Sequence, residues 1–121
     1  TTSNSLILDC YNANPTSMES ALESFAMNSA ANKICILGDM KELGSESNEE
    51  HQKIITLLER LDLQAYVVGE EFSKFSSCAL LKKFINVEEL LEFIKSFPIN
   101  EKLILIKGSN SIRLSKLEDS L

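Results

Sequence analysis

Three short polar segments hold the residue types that could do chemistry, and each follows a run of apolar residues. The first is Asp9-Cys10-Tyr11-Asn12-Ala13-Asn14-Pro15. It combines amide side chains that donate and accept, a phenol ring with a stacking face, and a proline suited to the first turn of a helix. A helix amino terminus favours anions, so this combination suits the ribose and phosphates of a nucleotide. Asn and Asp before a proline are also ordinary cap and turn chemistry, and the residues alone fit both readings. The second segment, Gly38-Asp39-Met40-Lys41-Glu42-Leu43-Gly44, brackets an acidic, a basic and an acidic side chain between glycines. That pattern could bind a zwitterionic substrate or a metal-bound phosphate; turn glycines and solvated charges produce it equally well. His51, the single histidine, could face the same loop or be a satisfied structural histidine. The third segment, Lys107-Gly108-Ser109-Asn110-Ser111, puts a lysine, a glycine turn and small hydroxyl residues ahead of a helix. This resembles anion-binding geometry, and also a plain strand-to-helix turn. It lacks the first glycine of GxxxxGK[ST] and is not a GxGxxG fingerprint. One histidine and scattered serines do not specify a nucleophile, base and orienting acid, so a self-contained hydrolase is unsupported.

The elements that must position these segments alternate in kind. Short β-rich runs at residues 6–10, 34–37, 65–68, 103–106 and, more weakly, 83–85 read as strands whose continuous apolarity predicts burial on both faces. Between them apolar residues recur every three or four positions. Met18, Ala21, Leu22, Phe25 and Ala26 form one helical stripe, with Thr16 and Glu19 fitting a capping box. Ser47 and Glu50 give the same start signal ahead of a stripe of His51, Ile54, Ile55, Leu58 and Leu61. Asn86 and Glu89 repeat it before Val87, Leu90, Leu91, Ile94 and Phe97, and Pro98 ends that helix. A last helix is predicted after Gly108 with Leu114, Leu117 and Leu121 inward, while residues 70–81 fit either a short helix or a loop. The alternation predicts an α/β fold, a mostly parallel sheet of about five or six strands with helices on both faces. Ligands of such sheets gather at the carboxyl ends of the strands, which is where all three segments fall.

Size and charge narrow the options further. A chain of 121 residues with 44% hydrophobic content can bury one core, so residues 1–121 are read as one domain. Twelve Lys and Arg against eighteen Asp and Glu leave a net charge of −6 with no basic cluster, which argues against nucleic acid and anionic membranes as partners. No apolar run nears the roughly 20 residues of a membrane span, and the polar start shows no signal-peptide pattern. Cys10, Cys35 and Cys78 are odd in number and far apart, reading as reduced, buried thiols of a cytoplasmic protein, and no metal site is expected.

Taken together, DCYNANPTSME, LGDMKELGSESNEEH and LIKGSNSIRLSKLE resemble, in order and spacing, the signature regions of the C-terminal domain of the Mur ligases, the MurF type among them. The resemblance runs nearly end to end. It implies a Rossmann-like domain that closes over an amino-terminal UDP-sugar domain and a central ATPase domain, both missing from this chain. It implies an ATP-dependent ligase of peptidoglycan-precursor synthesis. There the carboxylate of UDP-N-acetylmuramoyl-tripeptide becomes an acyl phosphate, with Mg2+ assisting, and the amine of D-alanyl-D-alanine attacks it. Carried over by motif, Asp9, Tyr11, Asn12 and Asn14 are expected near the adenosine side of ATP. Asp39, Glu42, His51, Lys107 and Ser109 are expected to border the dipeptide acceptor and the transferring phosphate. The Gly-Lys-Thr phosphate loop and the central-domain magnesium residues are lacking, so ATP and Mg2+ would be held mainly by the missing central domain and the chain alone is expected to be inactive.

Two rivals compete. A phospho-acceptor receiver domain shares the size and form but needs an acidic residue ending its third strand, where Val68 is followed by Gly69. A free-standing nucleotide-binding or interaction module of the same fold is the other. The start at Thr1, five residues before a buried strand and without an initiator methionine, is what a piece of a longer protein is expected to show, and a processed mature protein could also begin so.

Overall fold

The computed structural model describes residues 4–9, 13–75, 80–109 and 113–121. Among these residues there are five strands: β1 (Ser5–Asp9), β2 (Lys33–Gly38), β3 (Ala65–Val68), β4 (Leu81–Phe84) and β5 (Leu103–Lys107). Three α-helices accompany them: α1 (Pro15–Ala26), α2 (Ser47–Arg60) and α3 (Val87–Ser96), with 3-10 turns at Gly44–Glu46, Phe72–Lys74 and Leu114–Ser120. All the strand pairings are parallel, in the order β1-β5-β2-β3-β4.

Alternation along the strands divides the interior in two. Cys35 and Leu37 of β2, Ala65 and Val67 of β3 and Leu105 of β5 face Met18, Leu22 and Phe25 of α1 and Ile54, Ile55 and Leu58 of α2. Their neighbours Ile34, Ile36, Val68, Ile104 and Ile106 face Leu90 and Ile94 of α3, and Leu114, Leu117 and Leu121. The sheet is therefore covered on both faces, as its near-continuous apolar strands require. Burial also pushes the Cys35 thiol up to about 12, which leaves it an unreactive core residue. Cys10 and Cys78 lie outside the described residues.

Several boundaries differ from the sequence expectation, each for a local reason. Pro15 takes the first helical position of α1, so Asn14, not Thr16, is its cap: the Asn14 side chain accepts from the Ser17 N–H and the Ser17 hydroxyl returns the contact. Such a cap contributes about 1 kcal/mol. α2 has no side-chain cap at all, because the 3-10 turn runs straight into it and the Ser47 hydroxyl is used elsewhere. α3 starts as expected, with Asn86 accepting from Glu89 N–H at 2.8 Å. β4 begins two residues earlier than read, at Leu81. Its outward Lys82 and Lys83 protect an edge strand from pairing with other chains. The open segment before it holds a 3-10 turn, and the last helix is likewise 3-10. β1 departs most: β5 lies between it and β2, so β1 is an edge strand with Ile7 and Leu8 41% and 43% exposed.

Candidate functional site

The connections after β1 and β2 lead to helices on one face, whereas β5 leads to the turn at Leu114–Ser120 on the other. The chain thus parts on both sides of the carboxyl end of β5, forming the crevices where open parallel sheets bind ligands. Lys107 ends β5 at this point, in register with Asp9 of β1 and Leu37 of β2. Its side chain is 2% exposed and has interactions within the domain. Next to it, a Cβ on Gly108 would meet the Gly38 Cα at 2.8 Å and its N at 2.9 Å, so the ends of β2 and β5 are in direct backbone contact. Ser109 follows, its N–H donating to the Asp39 carbonyl at 3.3 Å.

Asp39 organises the neighbouring strand ends. Its N–H donates to the Val68 carbonyl at 3.0 Å. Its carboxylate, fully buried, accepts from Glu71 N–H at 2.8 Å and Phe72 N–H at 3.0 Å. A buried carboxylate persists because charge-assisted hydrogen bonds replace its hydration. The turn that supplies them depends on Gly69, whose φ is +129° and whose missing Cβ leaves the space that the Asp39 carboxylate fills. His51, also fully buried, holds the loop from the other side. Met40 N–H donates to its Nε2 at 3.0 Å, so the proton resides on Nδ1, which donates to the Ser47 carbonyl at 2.7 Å. The ring edge packs on Phe72 at 4.6 Å between centroids. With both nitrogens used inside the domain, His51 is a clamp on residues 40–47.

Removing that clamp has a predictable cost. His51→Ala leaves the Met40 N–H buried without a partner and opens a void beside Phe72, an expected loss of about 3 kcal/mol. Urea unfolding followed by circular dichroism would show it as a lowered midpoint. A midpoint unchanged from wild type would mean that the clamp holds nothing.

The same loop carries a pH-sensitive contact. The Ser47 hydroxyl donates to Glu71 Oε1, and this bond, with the Lys74 ammonium 3.1 Å away, holds the Glu71 carboxyl below its ordinary value of 4.5. A carboxyl lowered by folding stabilises the fold above its unfolded value and ceases to do so as pH falls through the folded value. Wild type should therefore lose more stability on acidification below about pH 4.5 than Ser47→Ala does. Urea midpoints of the two proteins across that interval, running parallel, would contradict the assignment.

The remaining expected residues are placed as follows. Glu42 is exposed, with a left-handed φ of 62°. Asn14 caps α1, its oxygen committed to Ser17 N–H. Asp9 ends β1 beside Lys107 in register, while Tyr11 and Asn12 lie outside the described residues. Asp39, Lys107 and Ser109 are brought together around β5. Sequence reasoning missed Gly69 and Ser47 as structural partners, although a glycine directly after a buried strand was a usable signal for the first. Among the described residues there is no group of three or more His, Cys, Asp or Glu able to hold a metal ion. Among them, no helix is long and apolar enough to cross a membrane.

Fold and site together define a doubly wound α/β domain whose ligand edge is the carboxyl end of its sheet. The family model described as Mur ligase, glutamate ligase domain, matches residues 1–110. The chain belongs to the Mur ligase family. It is 38% identical over 120 residues to the UDP-N-acetylmuramoyl-tripeptide–D-alanyl-D-alanine ligase of Rickettsia prowazekii (strain Madrid E), covering 94% of this chain and 26% of that protein. With the enzyme of the same name from Treponema pallidum (strain Nichols) the identity is 37% over 128 residues, covering 95% and 27%. Among solved structures, MurF from Acinetobacter baumannii aligns with a TM-score of 0.77 and 30% identity over 93% of this chain and 26% of that one. The MurF ligase from Thermotoga maritima in complex with ADP shares the fold, with a TM-score of 0.75 and 23% identity over 95% of this chain and 27% of that one. The chain thus spans about a quarter of the length of these relatives.

Proposed function

We propose that this chain is the C-terminal domain of a cytoplasmic, ATP-dependent ligase that adds D-alanyl-D-alanine to UDP-N-acetylmuramoyl-tripeptide. The observation that carries the reading is the similarity, across 94% of the chain, to a ligase of that name. Such a ligase transfers the γ-phosphoryl group of ATP to the tripeptide carboxylate, giving an acyl phosphate and ADP; Mg2+, if bound, would be held mainly by the central domain and would supply neutralisation of phosphate charge. The acceptor amine then attacks the acyl carbon, and the tetrahedral intermediate collapses with loss of phosphate and a proton. No nucleophile from this domain is needed. Its contribution is placement and charge: a lysine set by β5 at the crevice, a serine beside it, and helix and strand ends that tolerate anions.

In this scheme Lys107 and Ser109 face the transferring phosphate and the acceptor, and Glu42 lies at the exposed rim. Asp39 and His51 act as positioning residues, since their hydrogen-bonding atoms hold residues 40–47 and 69–72. Asp9, Tyr11, Asn12 and Asn14 contribute the adenosine side of the ATP site from the segment joining β1 to α1. The other two domains of the same protein are the partners over which this one closes. The test is an acceptor survey: the ligase containing this domain is incubated with ATP, Mg2+, UDP-N-acetylmuramoyl-tripeptide and either D-alanyl-D-alanine or single amino acids, with product masses read out. The expected product is the pentapeptide from the dipeptide alone; incorporation of single amino acids in its place would assign the domain to another branch of the family. Absence of amide product with any acceptor would favour a free-standing binding module.

A further inference from the structure

Glu71, which is not among the expected site residues, joins the two ends of the loop between β2 and α2. It follows β3, and its N–H donates to the Asp39 Oδ2 at 2.8 Å. Its own carboxylate accepts from the Ser47 hydroxyl through Oε1, and its Oε2 lies 3.1 Å from the Lys74 ammonium. Asp39 stands immediately before residues 40–46 and Ser47 immediately after them. Glu71 therefore holds both ends of this loop from a third part of the fold. His51 also ties these ends, through the Met40 N–H and the Ser47 carbonyl, but it belongs to α2, into which the loop runs. His51 fixes the loop to its own helix, whereas Glu71 fixes it to the end of β3.

Between these ties the loop is bent by two residues in the left-handed region, Glu42 at φ 62° and Gly44 at φ 58°. A left-handed glutamate is disfavoured relative to glycine and persists where the surroundings impose it. Met40 is buried and Leu43 packs against the core, so Lys41 and Glu42 stand exposed between two apolar anchors. The loop, Ser47 and Glu71 border a cavity of about 230 Å³. Loss of the Ser47–Glu71 bond thus leaves the loop room to shift. The Glu71 side chain is 25% exposed, and a hydrogen bond to a largely covered carboxylate is among the stronger kinds.

We propose that Glu71 is a positioning residue for the acceptor step: by holding Asp39 and Ser47 together it sets the loop that carries Glu42. The inference rests on the ligase reading above, in which Glu42 lies at the rim of the site, and adds the residue that holds that rim in place. Glu71 acts through the loop and touches no reacting atom. Its loss is therefore felt as weaker placement of the acceptor, while ATP, bound from other segments, is unaffected.

The test compares wild type, Ser47→Ala, Glu71→Ala and Glu71→Gln in two measurements. Amide hydrogen exchange of this chain reads the loop itself: residues 40–46 should exchange about tenfold faster in both alanine variants, and at close to the wild-type rate in Glu71→Gln, whose amide oxygen can still accept from Ser47. Steady-state kinetics of the ligase containing this domain read the role. Ser47→Ala and Glu71→Ala should raise KM for D-alanyl-D-alanine by about tenfold with KM for ATP unchanged, and Glu71→Gln should restore most of the loss. Partial unfolding would lower kcat and leave both KM values alone, so it does not imitate this result. Ser47→Ala removes only a hydroxyl, which keeps the test decisive where Glu71→Ala folds poorly. Exchange of residues 40–46 at the wild-type rate in Ser47→Ala would overturn the inference, as would faster exchange with an unaltered KM for the acceptor; both leave the ligase reading intact. No wild-type turnover with any acceptor would overturn the ligase reading, and this inference with it.

Discussion

Replacing Gly69 with alanine is expected to cost about 4 kcal/mol or more, a large part of the stability of a domain this size. Two effects add. The backbone at φ +129° is one that side chains rarely adopt, and the new Cβ would lie 2.2–2.4 Å from the three carboxyl atoms of Asp39. The carboxylate cannot step aside cheaply, since it is fully buried and accepts from both Glu71 and Phe72 N–H groups. Strain at such a position costs about 1–3 kcal/mol, and each charged hydrogen bond lost about 1.5–3 kcal/mol. Urea unfolding of the single and double variants resolves the two. In an Asp39→Ala background the added methyl has nothing to displace, so Gly69→Ala should cost at least about 2 kcal/mol less there. Strictly additive losses would mean that the close approach of these two residues does not matter.

The second large effect is expected at Gly108. Here the methyl of an alanine would meet backbone, the Gly38 Cα at 2.8 Å and N at 2.9 Å, together with the Leu114 Cδ1 at 2.8 Å. Relief requires β2 and β5 to spread at the end that carries Lys107 and Ser109. Overpacking of this kind costs about 3 kcal/mol. A displacement near 1 Å of groups that position a reaction lowers its rate by roughly 100-fold. Gly108→Ala should therefore lower both the unfolding midpoint and the ligase turnover, the latter more than its folded fraction explains. Wild-type values of both would contradict the contact between the strand ends.

Much of the fold was legible because the signals were local. Alternation of branched apolar runs with three-to-four-residue stripes sufficed for the α/β class, for the positions of α1, α2 and α3, and for the Asn86 cap. What was not legible depends on partners far along the chain. Nothing in residues 5–9 says that β5 will lie between β1 and β2, so the exposure of Ile7 and Leu8 could not be read from their apolarity. The pattern Ser-x-x-Glu at Ser47 imitates a cap, but Glu71, 24 residues away, takes the hydroxyl. At α1 the imitation was Thr16, and Pro15 decided the matter by fixing the first helical position. The triplet Leu114, Leu117 and Leu121 fits a buried face of either an α-helix or the observed 3-10 turn.

The site was legible to a similar depth. Strand ends bearing Asp39, Lys107 and Ser109 follow from the rule for parallel sheets, and the structure brings them together around β5. The N–H groups that occupy Asp39 belong to Glu71 and Phe72, more than thirty residues on, and no spacing pattern links them. His51 fell on the apolar stripe of α2, which fitted a buried imidazole, but the identity of its partners at Met40 and Ser47 required the loop geometry.

The central claim, that the carboxyl end of β5 forms part of a ligase site, is tested most directly by Lys107→Met in the ligase containing this domain. Methionine preserves the stem of a side chain that is 2% exposed and removes only the ammonium. With ATP, UDP-N-acetylmuramoyl-tripeptide and D-alanyl-D-alanine, a folded variant is predicted to turn over at least about 100-fold more slowly than wild type. A folded variant ligating within about twofold of wild type, where a positioned charge is expected to matter far more, would remove Lys107 from the site and contradict the account.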